Sequence, residues 1–162
     1  MTDGQATPEA VRAIGRPIDD GHVFVPACRM EALGDASFRA DHRLRYAYLA
    51  GAMANGIGSV EIVETMSRAG MLGFFGAAGL PLGRIEAAVE RLRRSLGDAP
   101  HGFNLIHSPN EPAHENAVVD LYIRRGVRLV EASAYLDLTL PLVRYRTPVS
   151  YTHLTLPTIL RV

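Results

Sequence analysis

The chain has 162 residues, a length that suits one domain with a sizeable core. Apolar residues make up 48% and charged residues 21%, which excludes a disordered polar chain. Lys plus Arg balance Asp plus Glu at 17 each, which argues against nucleic acid or an anionic membrane as the main partner.

The N-terminal MTDGQATPEA is polar and lacks the apolar run of a signal peptide. No stretch reaches the roughly 18 apolar residues of a membrane span, so a cytoplasmic setting is expected. Residues 1–44 form an N-terminal extension holding Pro8, Pro17 and Pro26. Within it the apolar run His22-Val23-Phe24-Val25 reads as a strand or plug. Cys28 is the only cysteine, so an internal disulfide and a cysteine-based zinc site are both excluded.

From residue 45 to 147 one unit repeats. Short apolar runs begin near Tyr46, Met71, Phe103 and Val127, roughly 24 to 32 residues apart. Each run ends in a small-residue or polar turn, and the first three lead into a segment of helical period. Ser59 is the expected N-cap of the first helix, near Ser59 to Ala69, with Gly70 as its stop. The second helix, Pro81 to Leu96, carries Ile85, Ala88, Val89, Leu92 and Leu96 on one face and Gly97 past its end. The third, Pro112 to Arg125, ends at Gly126, with an expected buried stripe of Ala117, Val118 and Leu121. Strands alternating with helices at this spacing predict βαβ units and a parallel α/β sheet covered on both faces. A doubly wound sheet and a (β/α) barrel both satisfy the pattern.

In parallel α/β folds the ligand lies at the carboxyl ends of the strands. That rule selects Gly51 to Ser59, Gly76 to Gly79, Asn104 to Asn110, and Glu131 to Ala134. The first is a Gly/Ala-rich turn whose small side chains allow a flat or anionic ligand close to free backbone N–H groups. It is neither a Walker A loop nor a GxGxxG fingerprint, and a tight packed turn explains it equally well. Asn104 places an amide inside an apolar strand, so it bonds either neighbouring backbone or a heteroaromatic ligand edge. Glu131 also sits within a strand, and an ion pair with Arg128 or Arg144 is the expected partner. His101, His107 and His114 lack metal-ligand spacing on a common helix face; His107 alone stands at a strand end, and a solvated loop position is expected for it. No Ser/His/Asp or Cys/His constellation is present.

The strings YAYLAGAMANGIGSVEIV, AGMLGFFGAAGL, GFNLIHSPNEP and RGVRLVEASAYLDLTLPLVRYR, preceded by RPIDDGHVFVPACRMEALGDASF, occur in order over about a hundred residues. Together they resemble the PfaD family, trans-acting enoyl reductases of polyunsaturated-fatty-acid and polyketide synthases within the nitronate-monooxygenase-like flavoproteins. The resemblance implies a partial TIM-type (β/α) barrel of about four βα units holding FMN. It implies hydride transfer from NAD(P)H through the flavin to an enoyl thioester on an acyl carrier protein, with synthase subunits as partners. The cofactor-binding positions it implies are Ala52, Met53, Ala54 and Asn55 in the first loop, Asn104 on the third strand, and Glu131 and Ser133 on the fourth. A complete barrel has eight strands and about 250 residues, with a phosphate site usually after strands seven and eight. The phosphate clamp and the catalytic residues are therefore expected outside residues 45–147. Nitronate monooxygenase is the alternative enzyme reading, and an α/β binding module using Gly51 to Ser59 for an anion is the non-enzymatic one.

Residues 148–162 break the pattern. Val149 to Thr158 reads VSYTHLTLPT, with four Thr or Ser, no acidic residue and no helical stripe. It resembles one reading frame of a transposase sequencing adapter, GTC TCT TAT ACA CAT CTG followed by ACG CTG CCG ACG. A non-native tail of translated adapter is expected there.

Overall fold

The computed structural model describes residues 28–147 and the backbone of Arg16–Ile18 and His22–Phe24. The expected tail at 148–162 and residues 1–15, 19–21 and 25–27 of the N-terminal extension lie outside the described residues. The chain divides into two compact units, 1–33 and 34–162. In the first, strands β1 (Arg16–Ile18) and β2 (His22–Phe24) pair antiparallel, with Pro17 opposite Val23. A single 3-10 turn follows at Met30–Ala32. The second unit begins ahead of residue 45 and includes helix α1 (Ala36–His42), which Asp35 caps by accepting from Ser37 N at 2.6 Å and Phe38 N at 3.0 Å.

The repeat then follows the expected order. Strand β3 (Leu49–Ala50), helix α2 (Val60–Arg68), strand β4 (Leu72–Phe75), helix α3 (Leu82–Leu96), strand β5 (Gly102–Ile106), helix α4 (Pro112–Arg125), strand β6 (Val130–Ser133) and helix α5 (Leu140–Arg146) come in turn. Ser59 caps α2 by accepting from Ile62 N at 3.4 Å. Gly126, at φ 67°, closes α4 in the left-handed region that glycine enters without penalty. No helix among the described residues is long and apolar enough to cross a membrane.

The four strands β3-β4-β5-β6 pair parallel, in sequential order. That order separates the two architectures left open by periodicity. A doubly wound sheet reverses its strand order at a switch point, with helices on both faces. Here the order never reverses, and helices α2 to α5 pack on one another in succession. They cover one convex face, where Phe75, Phe103, Leu105, Val130 and Ala132 meet Ile85, Val89, Leu92, Val118, Val119 and Leu121 in the main core. Alternate residues turn to the concave face, where Leu72 and Phe74 pack with Leu44 from the end of α1 and with Phe38, Ala52 and Leu129.

Two expectations about α4 change. Ala117 is only half-buried, whereas Glu115, Val119 and Tyr122 join Val118 and Leu121 as buried residues. Tyr122 is tied into the sheet by donating its hydroxyl to Asn104 O at 2.8 Å. Burial pushes both the Tyr122 and Tyr145 hydroxyls well above their ordinary range, and at Tyr145 the nearby Arg146 charge opposes the shift without cancelling it. Tyr145 likewise donates to Val127 O at 2.8 Å and fastens α5 to the strand edge.

Candidate functional site

Because the strands run parallel, the four turns selected from sequence emerge along one edge of the sheet. Their interlocking begins with the first loop. Asn55 N donates to Ala78 O at 2.8 Å, Gly56 N to Gly76 O at 2.9 Å, and Gly76 N to Gly58 O at 2.9 Å. Asn55 adopts φ 57°, which Asn tolerates better than most residues, and allows this tight turn. Ile57 N and Gly58 N close on Ala54 O and Met53 O within the loop. The expected row of free amides is thus reduced: the N–H groups of Ala52, Asn55, Gly56, Ile57 and Gly58 all have partners within the protein.

Glu131 corrects a second expectation. Its carboxylate does not pair with Arg128 or Arg144; Oε2 accepts from Ala52 N at 2.7 Å. Arg144 instead bonds Asp120 and Asn116 on α4. Strands β3 and β6 are the two ends of the sheet, and at about 4.8 Å per step a flat sheet would hold them roughly 14 Å apart. One glutamate cannot span that gap. The contact therefore requires the sheet to curl, so that Glu131 reaches across the concave side to the loop after β3. Gly51 lies equally near, with a Cβ there meeting Glu131 Oε1 at 3.4 Å.

Asn104 stands beside Glu131 in register, only 5% exposed. Its Nδ2 donates to Glu131 O at 3.1 Å, the neighbouring-backbone bond that one reading expected, and to Ser133 Oγ at 2.9 Å. With both amide hydrogens used, Asn104 Oδ1 remains an acceptor, as does Glu131 Oε1, while the Ser133 hydroxyl can donate. The structure thus brings Ala52, Asn104, Glu131 and Ser133 into one bonded layer above the apolar floor of Leu72, Phe74 and Leu129. Met53, 42% exposed, and the loop residues Ala54 and Asn55 lie at its margin without bonding into that layer. Replacing Glu131 by Ala is expected to cost about 2 kcal/mol, the worth of a charge-assisted bond to a part-buried amide. Urea unfolding of the variant checks this; a midpoint unchanged from the parent chain would show that the carboxylate does not tether the loop.

A second cluster went unread in the sequence. Glu115, 3% exposed in the first turn of α4, accepts from Tyr135 Oη at 2.7 Å, from Ser108 N at 2.9 Å and approaches His107 Nδ1 at 3.2 Å. The His107 ring stacks on Tyr135 with centroids 5.2 Å apart. His107 is therefore not a solvated loop histidine but a half-buried one held between two turns. The carboxylate and burial also push the Tyr135 hydroxyl well above its ordinary range, burial being the larger cause. A signal was present: Glu115 precedes Val118, Val119 and Tyr122 by three, four and seven residues, which places an acid on the buried stripe. No group of three or more His, Cys, Asp or Glu that could hold a metal ion occurs among the described residues.

This curled set of sequential parallel strands, with its helices outside and a polar layer inside at the strand ends, defines the chain as part of a TIM-type (β/α) barrel. No family model matches the chain. Individual proteins do. The chain is 48% identical over 117 residues to the polyketide biosynthesis protein PksE of Bacillus subtilis, covering 72% of this chain and 15% of that protein. It is 41% identical over 123 residues to part of a polyunsaturated fatty acid synthase of Thraustochytrium, covering 76% of this chain and 8% of that polypeptide. Among solved structures, the enoyl reductase domain of MlnA from the macrolactin cluster of Bacillus amyloliquefaciens superposes with a TM-score of 0.68 at 46% identity, covering 70% of this chain and 26% of that one. The chain belongs to the PfaD-like enoyl reductase family, of whose members it spans a minor part.

Proposed function

We propose that the chain is the N-terminal portion of an FMN-dependent enoyl reductase. Its substrate would be an enoyl thioester carried by an acyl carrier protein of a polyketide or polyunsaturated-fatty-acid synthase, with NAD(P)H as reductant. The observation that carries this reading is the concave layer of Asn104, Glu131 and Ser133 over an apolar floor. A flat heteroaromatic ring needs that combination: an apolar surface for its face and mixed donors and acceptors for its polar edge. Asn104 Oδ1 and Glu131 Oε1 are available to N–H groups of such an edge, and the Ser133 hydroxyl to a carbonyl. Ala52, its amide held by Glu131, keeps the first loop close to the ring position, and Met53 to Asn55 form the wall beside it. FMN would supply the redox chemistry, a hydride from the nicotinamide to the β-carbon of the enoyl group, and a proton drawn from solvent would complete the reduction at the α-carbon. The residues here would position and tune it. The similarity to the MlnA enoyl reductase domain supports the substrate class.

The test is to recover the genomic sequence downstream of Arg146 and express the continuous reading frame. The purified protein should carry flavin absorbance, and NAD(P)H oxidation should begin on addition of an enoyl thioester. A colourless protein that takes up no FMN overturns the reading, as does oxygen uptake with an alkyl nitronate and no turnover of the thioester. The same DNA shows whether native codons continue through residues 148–162.

A further inference from the structure

At the opposite edge of the sheet, where the strands begin, a cavity of about 450 Å³ opens between α1, the C-terminal ends of α3 and α4, and the turns entering β5 and β6. A volume of this order suits a small organic ligand. Four arginines line it, Arg43, Arg93, Arg125 and Arg128, against two acids, Asp41 and Asp98. Two of the four are already committed: Arg43 donates to Asp98 O at 2.5 Å, and Arg125 pairs with Glu86 at 2.6 Å. Arg93 and Arg128 have no ion-pair or hydrogen-bond partner among the described residues. A cation in the last turn of a helix, as Arg93 is, interacts with the carbonyl ends there and needs no ligand to explain it. Arg128 lies past the end of α4, in the turn before β6, and that explanation does not reach it.

Beyond the arginines the wall holds two histidines, the buried His42 and His101, and an apolar stretch. Val89, Phe103, Val127 and Leu129 supply apolar surface, and the half-buried His101 closes one side. His101 Nδ1 lies 2.7 Å from Ala99 O, so Nδ1 carries the hydrogen. Burial lowers the basicity of this ring, which favours the neutral form and leaves Nε2 as an acceptor. The cavity therefore combines two uncommitted guanidiniums, an apolar face and one neutral acceptor. We propose that this cavity binds a phosphate monoester of about mononucleotide size, its phosphate on Arg93 and Arg128 and its body against Val89, Val127 and Leu129. Guanidinium forks match phosphate oxygens in pairs, and the neutral imidazole accepts from an N–H or O–H of the body. This site stands apart from the concave layer at the other edge and does not depend on its cofactor.

Titrating the 162-residue chain with AMP, adenosine and inorganic phosphate tests the proposal by calorimetry and by amide chemical-shift changes. AMP should bind with a dissociation constant below about 1 mM. Arg93→Ala and Arg128→Ala should each weaken AMP binding about tenfold, the loss of a charge-assisted contact. Both side chains are exposed, so circular dichroism should show the fold intact. Absence of AMP binding at several times that concentration overturns the proposal. So does adenosine binding as tightly as AMP, since the phosphate would then contribute nothing. Variants that bind AMP like the parent chain overturn the assignment to these two arginines, and inorganic phosphate binding as tightly as AMP overturns the role of the apolar wall.

Discussion

Replacing Glu115 by Ala is expected to destabilise the second unit by about 3–5 kcal/mol, the range for removing one member of a buried, bonded charge cluster. The substitution strands three groups at once. The Tyr135 hydroxyl, the Ser108 amide and the His107 ring all point at this carboxylate. A buried donor left unsatisfied costs about 1–3 kcal/mol, and a cavity is left besides. The cluster joins the turn after β5 to the turn after β6, so the damage should concentrate at the edge where those turns emerge. Glu115→Gln keeps the shape and one acceptor oxygen, and should lose much less. Urea unfolding of both variants checks the pair; equal midpoints for Glu115→Ala and the parent chain would mean that these turns hold without the carboxylate. Hydrogen exchange should show the loss of protection first at Ser108.

Gly76→Ala should be about as damaging, at roughly 3 kcal/mol or more. A Cβ at Gly76 would collide with the Met53 carbonyl, and backbone cannot swing aside as a side chain does. To admit the methyl group, the first loop must lift from the turn after β4. That breaks the bonds from Asn55 N to Ala78 O, from Gly56 N to Gly76 O and from Gly76 N to Gly58 O. Gly83→Ala is the matched control, because nothing lies within 4 Å of a Cβ there and the residue is helical. It should stabilise the chain by about 0.5–1 kcal/mol. Thermal unfolding of the two variants should therefore move in opposite directions. A Gly76→Ala chain that melts with the parent would show that the two loops are not interlocked.

Much of the fold was legible because its signals are local. Helix α3 announced its buried face through Ile85, Ala88, Val89, Leu92 and Leu96; the first four are buried, and Leu96 in the last turn is partly buried against the same core. Ser59, Pro112 and Gly126 marked helix ends through capping chemistry that involves only a few neighbouring residues. The stripe of α4 was read less well. Choosing Ala117 overlooked that Glu115 could be buried, since an acid on a core face makes sense only once Tyr135 and Ser108 are known to surround it. The site shows the same division. The positions of Asn104, Glu131 and Ser133 on the third and fourth parallel strands followed from sequence, but their partners did not. Arg128 and Arg144 were reasonable counter-ions for Glu131 by nearness along the chain. The partner is Ala52, which is far away in sequence.

By itself the sequence determined the four short strands, the parallel sheet they form and the approximate bounds of the three helices between them. Each of these follows from periodicity and capping over a span of a few residues to one repeat. The tertiary structure decided that the sheet curls instead of lying open, that the first loop shares its amides between itself and the turn after β4, and that Glu131 tethers that loop from the far strand. Those outcomes depend on how many small strand-to-strand rotations accumulate across the sheet, and on which backbone groups are left facing one another once they have. Neither quantity is written in any local stretch of residues.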